Sequence, residues 1–320
     1  MRTSVRPLTA LALPLSAVLA LSACGGEDSA SAAGEGAASS GAAEVTVSHA
    51  QGETTVPVDP ETVVVFDVGA LSTLDSLDVD VTGVPEAAYP ESLEKYAGDE
   101  YTKVGSLFEP DYEAVNALEP DLIIVGGRSA AAYPQLAEIA PTIDLTVDNA
   151  DFLESFEERV TSLAEVFGEE DAVADRLAAL DERVAEVKAA AADAGTGLFV
   201  MTNAGELAAY GPDTRFGMVY DELGVTPADE NLTAADHGDA ISFEYLAEKN
   251  PDMLFVLDRD AAIGQSGTAA EQVLDNELVA ATSAAEDDEI HYLDSSVWYI
   301  APTGLPSVES MVEEIAAAVE

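Results

Sequence analysis

The hydrophobic pattern of the chain alternates between short apolar runs and longer stretches of helical periodicity. Runs such as 63–66 and 197–202 have the length of buried strands. The stretches between them carry apolar residues three or four positions apart, as in helices with one buried face. The most regular is the segment 173–187, whose helix continues to Gly195 and is long enough to brace two parts of a molecule. Strands alternating with helices predict an α/β fold.

One pattern occurs twice in the sequence. Residues 113–128 read EAVNALEPDLIIVGGR, and residues 244–259 read EYLAEKNPDMLFVLDR, 131 residues later and without a gap. A helical run, Pro-Asp, a buried strand and a terminal arginine coincide in both copies. The repeat predicts two lobes built on one plan, each a mostly parallel sheet flanked by helices. Such sheets bind ligands beyond the carboxyl ends of their strands. Arg128 and Arg259 are therefore expected to face one cleft, the alternative being two solvated loop arginines.

The N-terminus has the pattern of a secretion signal. Arg2 and Arg6 precede a short apolar run, which ends in Leu21-Ser22-Ala23-Cys24 and resembles the lipobox of bacterial lipoproteins. The following Gly, Ser, Ala and acidic residues predict a flexible tether. The predicted organisation is a signal peptide (1–23), lipidated Cys24 with the tether (24–43), an N-terminal lobe (44–168), a bridging helix (169–195) and a C-terminal lobe (196–320).

The net charge and the positions of the basic residues limit the kinds of ligand and partner that the protein could bind. The chain has 62 acidic and 12 basic residues among 320, a formal charge of −50, which argues against a nucleic-acid partner. Arg159, Arg176, Arg183 and Lys188 lie on the predicted central helices, at spacings suited to i,i+3 or i,i+4 ion pairs. Arg128, Arg215 and Arg259 instead follow strands or turns. Three arginines on one concave surface would locally reverse the sign of an acidic protein, which favours an anionic ligand.

His237 and Tyr299 are the other candidate site residues. Imidazole nitrogen and phenolate oxygen are both good ligands for ferric iron. The alternatives are a surface histidine in a polar loop and a Trp-Tyr pair that packs in a loop over residues 295–303. Histidines in pairs suited to zinc, the Gly-x-Ser-x-Gly motif and phosphate-binding glycine loops do not occur in the sequence, so an enzyme is not expected. Sparse histidines also argue against a binder of free metal ions.

With these features in place, the chain resembles the substrate-binding lipoproteins of bacterial ABC transporters, in the helix-hinged (class III) group that binds ferric siderophores, cobalamin and haem. The resemblance covers residues 44–320. It is strongest to the catecholate-siderophore binders of the petrobactin and enterobactin type. IIVGGR, YGPDTRFG and FVLDR match the motifs of their three ligand-binding arginines, and ADHGDAIS and VWYIAPTG match those of their iron-coordinating histidine and tyrosine.

The resemblance implies a function. Arg128, Arg215 and Arg259 would bind a ferric catecholate siderophore, and His237 and Tyr299 would complete its iron coordination, although Pro302 departs from the family pattern after Tyr299. Glu113 and Glu244 would dock on the membrane permease. The protein would have no cofactor of its own and would be a monomer, anchored by lipid on the extracytoplasmic face of the cell membrane. Haem or cobalamin binding is the alternative within the family, and a secreted hydrolase is the alternative outside it.

Local patterns give three smaller predictions. Alternating residues on both sides of the segment 49–52 predict a hairpin, with His49 as a surface residue at its turn. Asp151 and Glu154 resemble a capping box at the start of a helix. Tyr89, Tyr96 and Tyr101 are expected either at the cleft mouth or packed on the surface of the first lobe.

Overall fold

The structure is a computed structural model that describes residues 43–232 and 237–320. The predicted signal peptide, Cys24 and the tether up to residue 42 lie outside the described residues. The strands are β1 (Glu44–His49), β2 (Gly52–Pro57), β3 (Val63–Val65), β4 (Gly83–Glu86), β5 (Thr102–Ser106), β6 (Leu122–Val125), β7 (Thr142–Asp144), β8 (Thr196–Asn203), β9 (Glu206–Tyr210), β10 (Thr226–Pro227), β11 (Asp239–Ile241), β12 (Met253–Asp258) and β13 (Ile290–Tyr292).

Helices occupy most of the remaining chain. The α-helices are α1 (Val68–Ser76), α2 (Tyr112–Ala117), α3 (Tyr133–Leu136), α4 (Phe152–Phe167), α5 (Glu170–Ala191), α6 (Met218–Asp221), α7 (Phe243–Lys249), α8 (Arg259–Ala262), α9 (Ala270–Leu274), α10 (Ser283–Glu286), α11 (Ser295–Ile300) and α12 (Leu305–Val319). Short 3-10 helices span Glu91–Ala97, Gly127–Ala132 and Asn149–Asp151.

Two larger sheets organise the fold. Neighbouring strands all run parallel in the first sheet, whose order is β5-β4-β3-β6-β7. The second sheet has the order β11-β9-β8-β12-β13, with β10 beside β8. Its β8, β12 and β13 are parallel, whereas β9 and β11 add an antiparallel edge. Strands β3 and β6 are buried along their whole length, as expected of parallel strands covered on both faces. The predicted α/β fold class is confirmed.

The sequence repeat is also a structural repeat. In each copy a short helix, α2 or α7, precedes a parallel strand, β6 or β12. The aspartate of each Pro-Asp pair accepts a backbone hydrogen bond next to the neighbouring strand. Asp121 accepts from Thr62 N–H at 2.8 Å, and Asp252 accepts from Thr196 N–H at 2.7 Å. The carboxylates thus tie each repeat strand to β3 or β8, which explains why the motif recurs with fixed spacing.

The long helix α5 has 22 residues and lies between the two sheets in the chain. Its buried Leu180 and Val187 pack in one apolar cluster with Phe156 of α4, Phe255 of β12 and Met311 of α12. This core connects α5 with its neighbouring helices and with the second sheet. The exact bounds of the two lobes stay a prediction.

The arginines of α5 bind mainly across helices. Arg176 donates to both carboxylate oxygens of Glu309 on α12, at 2.8 and 2.6 Å. Arg183 does the same to Glu313, at 2.8 and 2.9 Å, and also makes an i,i+3 pair with Glu186. The predicted local pairing therefore applies to the Arg183–Glu186 pair but is wrong for Arg176. Sequence spacing on one helix does not reveal the acidic face of α12, which packs beside α5.

The hairpin of β1 and β2 forms as predicted, but His49 is not a surface residue. Its side chain is 6% exposed, lies 2.8 Å from the Thr54 hydroxyl and contacts the Tyr133 ring. The hairpin turn is fixed against β7, because Ala50 N–H donates to the Asp144 backbone oxygen at 3.0 Å. Burial is the main reason that the pKa of His49 is lowered.

Two further local predictions are resolved by the structure. The capping box at Asp151 is wrong, because the Asp151 side chain makes no capping hydrogen bond to α4. The cap before it is Asp148, which accepts from Ala150 N–H at 3.0 Å. The tyrosines near residue 96 pack together, since the Tyr96 ring is buried and its centre lies 4.6 Å from that of Tyr101.

A carboxyl pair between α4 and α5 is expected to make stability depend on pH. The pKa of Glu157 is raised from 4.5 to about 7, first by burial and then by the charge of Asp181 and a hydrogen bond with it. The folded state therefore holds the proton more tightly, and this stabilisation is lost as the pH rises from about 4.5 to about 7. We expect Glu157→Gln to raise the melting temperature by about 1–3 °C at pH 8 and to have little effect at pH 4.5.

Thermal melts across this pH range check the prediction. Glu158→Gln is the matched control, since Glu158 is the exposed neighbour and lies 3.7 Å from Arg159 in a loose ion pair. It should show no stabilisation at pH 8. An equal shift in melting temperature for Glu157→Gln at both pH values would contradict a raised pKa of Glu157 as the cause.

Candidate functional site

Tyr299 stands at the centre of the candidate site. It lies on α11, a six-residue helix, so the loop predicted over 295–303 is wrong for residues 295–300. The helix forms because the Asp294 carboxylate caps it, accepting from Ser296 N–H at 3.0 Å. Trp298 is fully buried, whereas Tyr299 is half-buried and packs against the apolar clusters of both sheets. Tyr299 therefore sits where the two halves of the fold meet.

The three arginines selected from the sequence converge on Tyr299. Arg128 and Arg215 each donate through Nη2 to its backbone oxygen, at 2.6 and 2.5 Å. Arg259 donates through Nε to its hydroxyl oxygen at 3.0 Å, and through Nη1 to Asn203 Oδ1 at 2.9 Å. The guanidinium carbons of Arg215, Arg128 and Arg259 lie 4.2, 5.0 and 5.7 Å from the centre of the phenol ring. We call these four residues the arginine–tyrosine cluster.

Strand ends and turns place the arginines. Arg128 follows β6 after Gly126 and Gly127, and Gly127 has a positive φ of 48° that favours glycine. A side chain at Gly126 would lie 3.1 Å from the Asp67 carboxylate. The backbone therefore turns tightly past α1 before it presents Arg128.

Arg215 and Arg259 come from the second half of the chain. A turn presents Arg215, in which Thr214 donates its hydroxyl hydrogen to Gly211 O at 2.6 Å. Arg259 opens α8 directly after β12. The carboxylate of Asp258 caps that helix, accepting from Ala261 N–H at 3.0 Å. Local hydrogen bonds thus fix the backbone that carries each of these arginines.

Burial and like charge strain this cluster electrostatically. Burial, followed by the positive charge of Arg128, lowers the pKa of Arg215 to about 10. For Tyr299, burial raises the pKa, but the hydrogen bond from Arg259 and the charges of all three arginines together lower it below its usual value. The site therefore favours a negatively charged group beside the arginines, and it makes the Tyr299 phenolate easier to form.

A cleft surrounds the cluster. Two adjoining cavities share Arg215, His237 and Tyr299. One has a volume of about 360 Å³, includes Arg259 and is lined by the second sheet. The other has a volume of about 440 Å³, includes Arg128 and is lined largely by the first half of the chain. We call the two cavities together the cleft; its size suits a small organic ligand or metal complex.

A neighbouring, more open cavity of about 560 Å³ contains Arg159 and Asp213. Its arginine donates to the backbone oxygens of Thr146 and Ser48, at 3.4 Å each. This arginine is engaged with the protein and lies beside acidic residues, so the cleft with the arginine–tyrosine cluster is the better candidate site.

Comparison with known proteins identifies the family. The family model described as periplasmic binding protein matches residues 63–297. This chain belongs to that family. The petrobactin-binding protein YclQ of Bacillus subtilis is 40% identical over 315 residues, which cover 97% of this chain and 98% of YclQ.

Solved structures agree with this assignment. A crystal structure of YclQ superposes with a TM-score of 0.83 at 42% identity and covers 87% of this chain and 99% of that one. The periplasmic catecholate-siderophore binding protein VctP from Vibrio cholerae has a TM-score of 0.83 at 36% identity, with 86% and 100% covered. The architecture of this binding protein is therefore that of class III periplasmic binding proteins.

His237 lies on the cleft but on its exposed side. It lines both cavities, and its side chain is exposed. The following Gly238 has a positive φ of 71°, and a side chain there would lie 2.8 Å from the Tyr210 ring. This close approach fixes the backbone beside His237. His237 and Tyr299 line the same cavities, which is a condition for the predicted binding of one iron by both residues.

Within 43–232 and 237–320, no group of three or more histidine, cysteine, aspartate or glutamate side chains is placed to hold a metal ion. In the same ranges no helix is long and apolar enough to cross a membrane.

Glu113 and Glu244 lie outside the cleft. Each occupies the first turn of a repeat helix, α2 or α7, after an N-cap formed by Asp111 or Ser242. Both side chains are exposed. Hydrogen bonds from its own backbone N–H and from Ser242 lower the pKa of Glu244. The repeat thus presents one exposed carboxylate in the same structural position of each half.

Sequence reasoning missed Asn203 and Phe108. Asn203 accepts a hydrogen bond from Arg259 and ends β8, and the register pairs Thr202 with Asp258. Parallel pairing of β8 with β12 could have predicted the contact, since Asn203 and Arg259 directly follow this pair and lie side by side. Phe108 lines the cleft with its side chain 69% exposed. Nothing in the spacing of its segment marked it.

Proposed function

We propose that this binding protein captures ferric catecholate siderophores in the cleft and delivers them to an ABC permease for iron uptake. The observation that carries the proposal is the convergence of Arg128, Arg215 and Arg259 on one tyrosine. In a chain with a formal charge of −50, this cluster of positive charge is suited to an anionic ligand. Support also comes from the relatives, which are named for petrobactin and for catecholate siderophores.

The arginines would bind the catecholate oxygens by charge-assisted hydrogen bonds. Two of them donate to the Tyr299 backbone oxygen, so this oxygen occupies donors that a ligand oxygen would use. A catecholate carries more negative charge than a carbonyl and would compete for these donors. It would also offset the mutual repulsion of Arg128 and Arg215. Ligand binding is thus expected to reduce the electrostatic repulsion within the cluster.

The iron of a tetradentate siderophore would find its remaining ligands in the protein. Two catecholates supply four oxygens, which leaves two positions of a six-coordinate ferric ion. His237 Nδ1 or Nε2 and the Tyr299 phenolate would fill them. The lowered pKa of Tyr299 supports this role, because the tyrosine must lose its proton to bind iron. A hexadentate siderophore would use the arginines alone.

A fluorescence titration tests this function. Trp298 is the single tryptophan of the chain and adjoins Tyr299, so iron bound at Tyr299 should quench its emission. We expect a ferric tetradentate catecholate to quench it at a one-to-one ratio with submicromolar affinity, and the same catecholate without iron to bind more weakly. Absence of binding at micromolar protein would refute the proposal.

Delivery would use the two exposed carboxylates. Glu113 and Glu244 are proposed to dock on arginines of the permease. We expect the double variant Glu113→Gln, Glu244→Gln to keep its siderophore affinity and to lose most permease-dependent iron uptake, a drop of about tenfold or more. The control removes equal charge from each half at exposed positions, with Glu138→Gln and Glu248→Gln. Equal uptake by the two double variants would exclude this docking role.

Attachment to the membrane is proposed to be through lipid at Cys24, on the extracytoplasmic face. The sole cysteine follows Leu21-Ser22-Ala23, as a lipobox requires. Labelled fatty acid should enter the wild-type protein but not Cys24→Ser; label in both would contradict the anchor.

The protein is proposed to be a monomer. One chain provides both walls of the cleft, which supports this proposal, and light scattering would test it.

A further inference from the structure

Phe108 is the large apolar side chain of the cleft that stands open to water. Its side chain is 69% exposed, whereas Leu145, Phe152 and Ile300 on the same cavity are each 5% exposed. A single exposed apolar residue is common on protein surfaces. This one differs because it lines the cavity that contains Arg128 and Tyr299. A ligand held by the cluster therefore lies within the cavity whose wall Phe108 forms.

The loop holds the Phe108 backbone in place. Ser106 N–H donates to Glu109 O at 3.0 Å, and the Ser106 hydroxyl oxygen accepts from the N–H groups of Phe108 and Glu109, at 3.3 and 3.0 Å. Gly105 has a φ of +101°, and a side chain there would lie 2.5 Å from Glu109 O. The chain thus folds back tightly beside the cleft. Little backbone entropy would be lost when a ligand covers the ring.

The other aromatic residues of the cavity are already engaged. Tyr299 is surrounded by three guanidinium groups, and Phe152 stacks on Phe156 with parallel rings. Among the ring contacts of residues 43–232 and 237–320, none involves Phe108. Because Phe108 is also 69% exposed, its ring is accessible to an aromatic ligand group.

We propose that Phe108 is a specificity-determining residue that packs its ring against an aromatic ring of the bound siderophore. This inference rests on the proposed function and adds that the protein recognises the aromatic ring of the ligand. The arginines recognise charged oxygens and do not distinguish an aromatic from an aliphatic donor. Phe108 supplies that distinction, since an aromatic pair gains contact beyond its apolar area. The loop before α2 thereby selects catecholates over aliphatic anionic iron complexes.

The test measures dissociation constants of the full chain for a ferric tetradentate catecholate. We expect Phe108→Ala to weaken binding about tenfold, Phe108→Leu to weaken it about threefold, and Phe108→Trp to stay within about twofold of the wild type. The graded series separates ring contact from simple apolar burial. Tyr112→Ala is the matched control, because Tyr112 is an exposed aromatic of the adjoining helix that does not line either cavity of the cleft. It should leave the dissociation constant unchanged.

A second readout reports the position of the ring directly. Trp298 is fully buried, so the new tryptophan of Phe108→Trp would supply the solvent-exposed part of the emission. That component should shift to shorter wavelength on binding of a gallium-substituted catecholate, which does not quench as iron does. Wild-type binding with unchanged affinity in Phe108→Ala, or with no spectral shift in Phe108→Trp, would overturn this inference alone. Failure of the wild type to bind would overturn the proposed function and this inference with it.

Discussion

Arg215→Met is expected to weaken binding of a ferric bis-catecholate by about 100-fold or more and to raise the melting temperature of the ligand-free protein. The loss of affinity follows because a buried charge that pairs with an anionic ligand contributes about 2–5 kcal/mol to binding. Arg215 also lies nearest to the Tyr299 ring among the three arginines, at 4.2 Å from its centre. Equilibrium titration of the variant measures this loss.

The gain in stability has a separate cause. Burial and the charge of Arg128 lower the pKa of Arg215 to about 10. The charged guanidinium is therefore less stable in the folded protein than in the unfolded chain, and this cost to folding is present at every pH below about 10. Methionine fills similar space without charge, so the variant avoids the free-energy cost of holding a desolvated ion beside Arg128. The Tyr299 backbone oxygen keeps its hydrogen bond from Arg128 at 2.6 Å. We expect a rise of about 2–4 °C.

Arg176→Met is the matched control for this prediction. Arg176 is also partly buried, but it binds Glu309 on the helices away from the cleft. Its replacement should leave siderophore affinity unchanged and lower the melting temperature slightly. If Arg215→Met instead lost stability and kept its affinity, the cluster would be structural rather than ligand-binding.

Tyr299→Phe is expected to separate tetradentate from hexadentate siderophores. The variant keeps the ring beside the three arginines and removes the oxygen alone. Affinity for a ferric tetradentate catecholate should fall about 100-fold, since loss of even an indirect metal-site partner costs about 10–100-fold. A hexadentate complex leaves no open position on iron, so its affinity should stay within about threefold. Parallel titrations with the two ligand classes measure the difference.

The pH dependence gives an independent check on Tyr299. Its pKa is lowered by the arginines, and binding to iron requires the deprotonated form. The tetradentate preference of the wild type should therefore grow as pH rises and shrink as pH falls, whereas Tyr299→Phe should lose this dependence. His237→Ala should also weaken tetradentate binding. An equal loss for both ligand classes in Tyr299→Phe would mean that the hydroxyl serves only to hold Arg259.

Much of the fold could be predicted because its signals are local. Buried strands, the Pro-Asp repeat and the regular apolar spacing of α5 each depend on residues close in sequence. The repeat also located Arg128 and Arg259, since equivalent strands end at equivalent edges. Their convergence on Tyr299 could not be derived from spacing, because it joins residues 171 and 40 positions apart.

The errors at His49 and Arg176 share one physical cause, which is tertiary contact. His49 reads as a turn residue, but the hairpin docks on β7 and buries it. Arg176 reads as a partner for acids on its own helix, but α12 brings Glu309 closer. The sequence pattern gave no indication of Phe108. A phenylalanine in a loop points to a binding site only once the cavity beside it is known.

Visible absorption of the wild-type protein during titration with a ferric tetradentate catecholate tests whether the cleft binds the complex and coordinates its iron. We expect saturation at one equivalent and a shift of the catecholate-to-iron charge-transfer band, because His237 and Tyr299 replace two weakly held ligands of the iron. Saturation without a band shift would contradict iron coordination by these residues and leave recognition to the arginines. No saturation at micromolar protein would contradict the capture of ferric catecholates in the cleft.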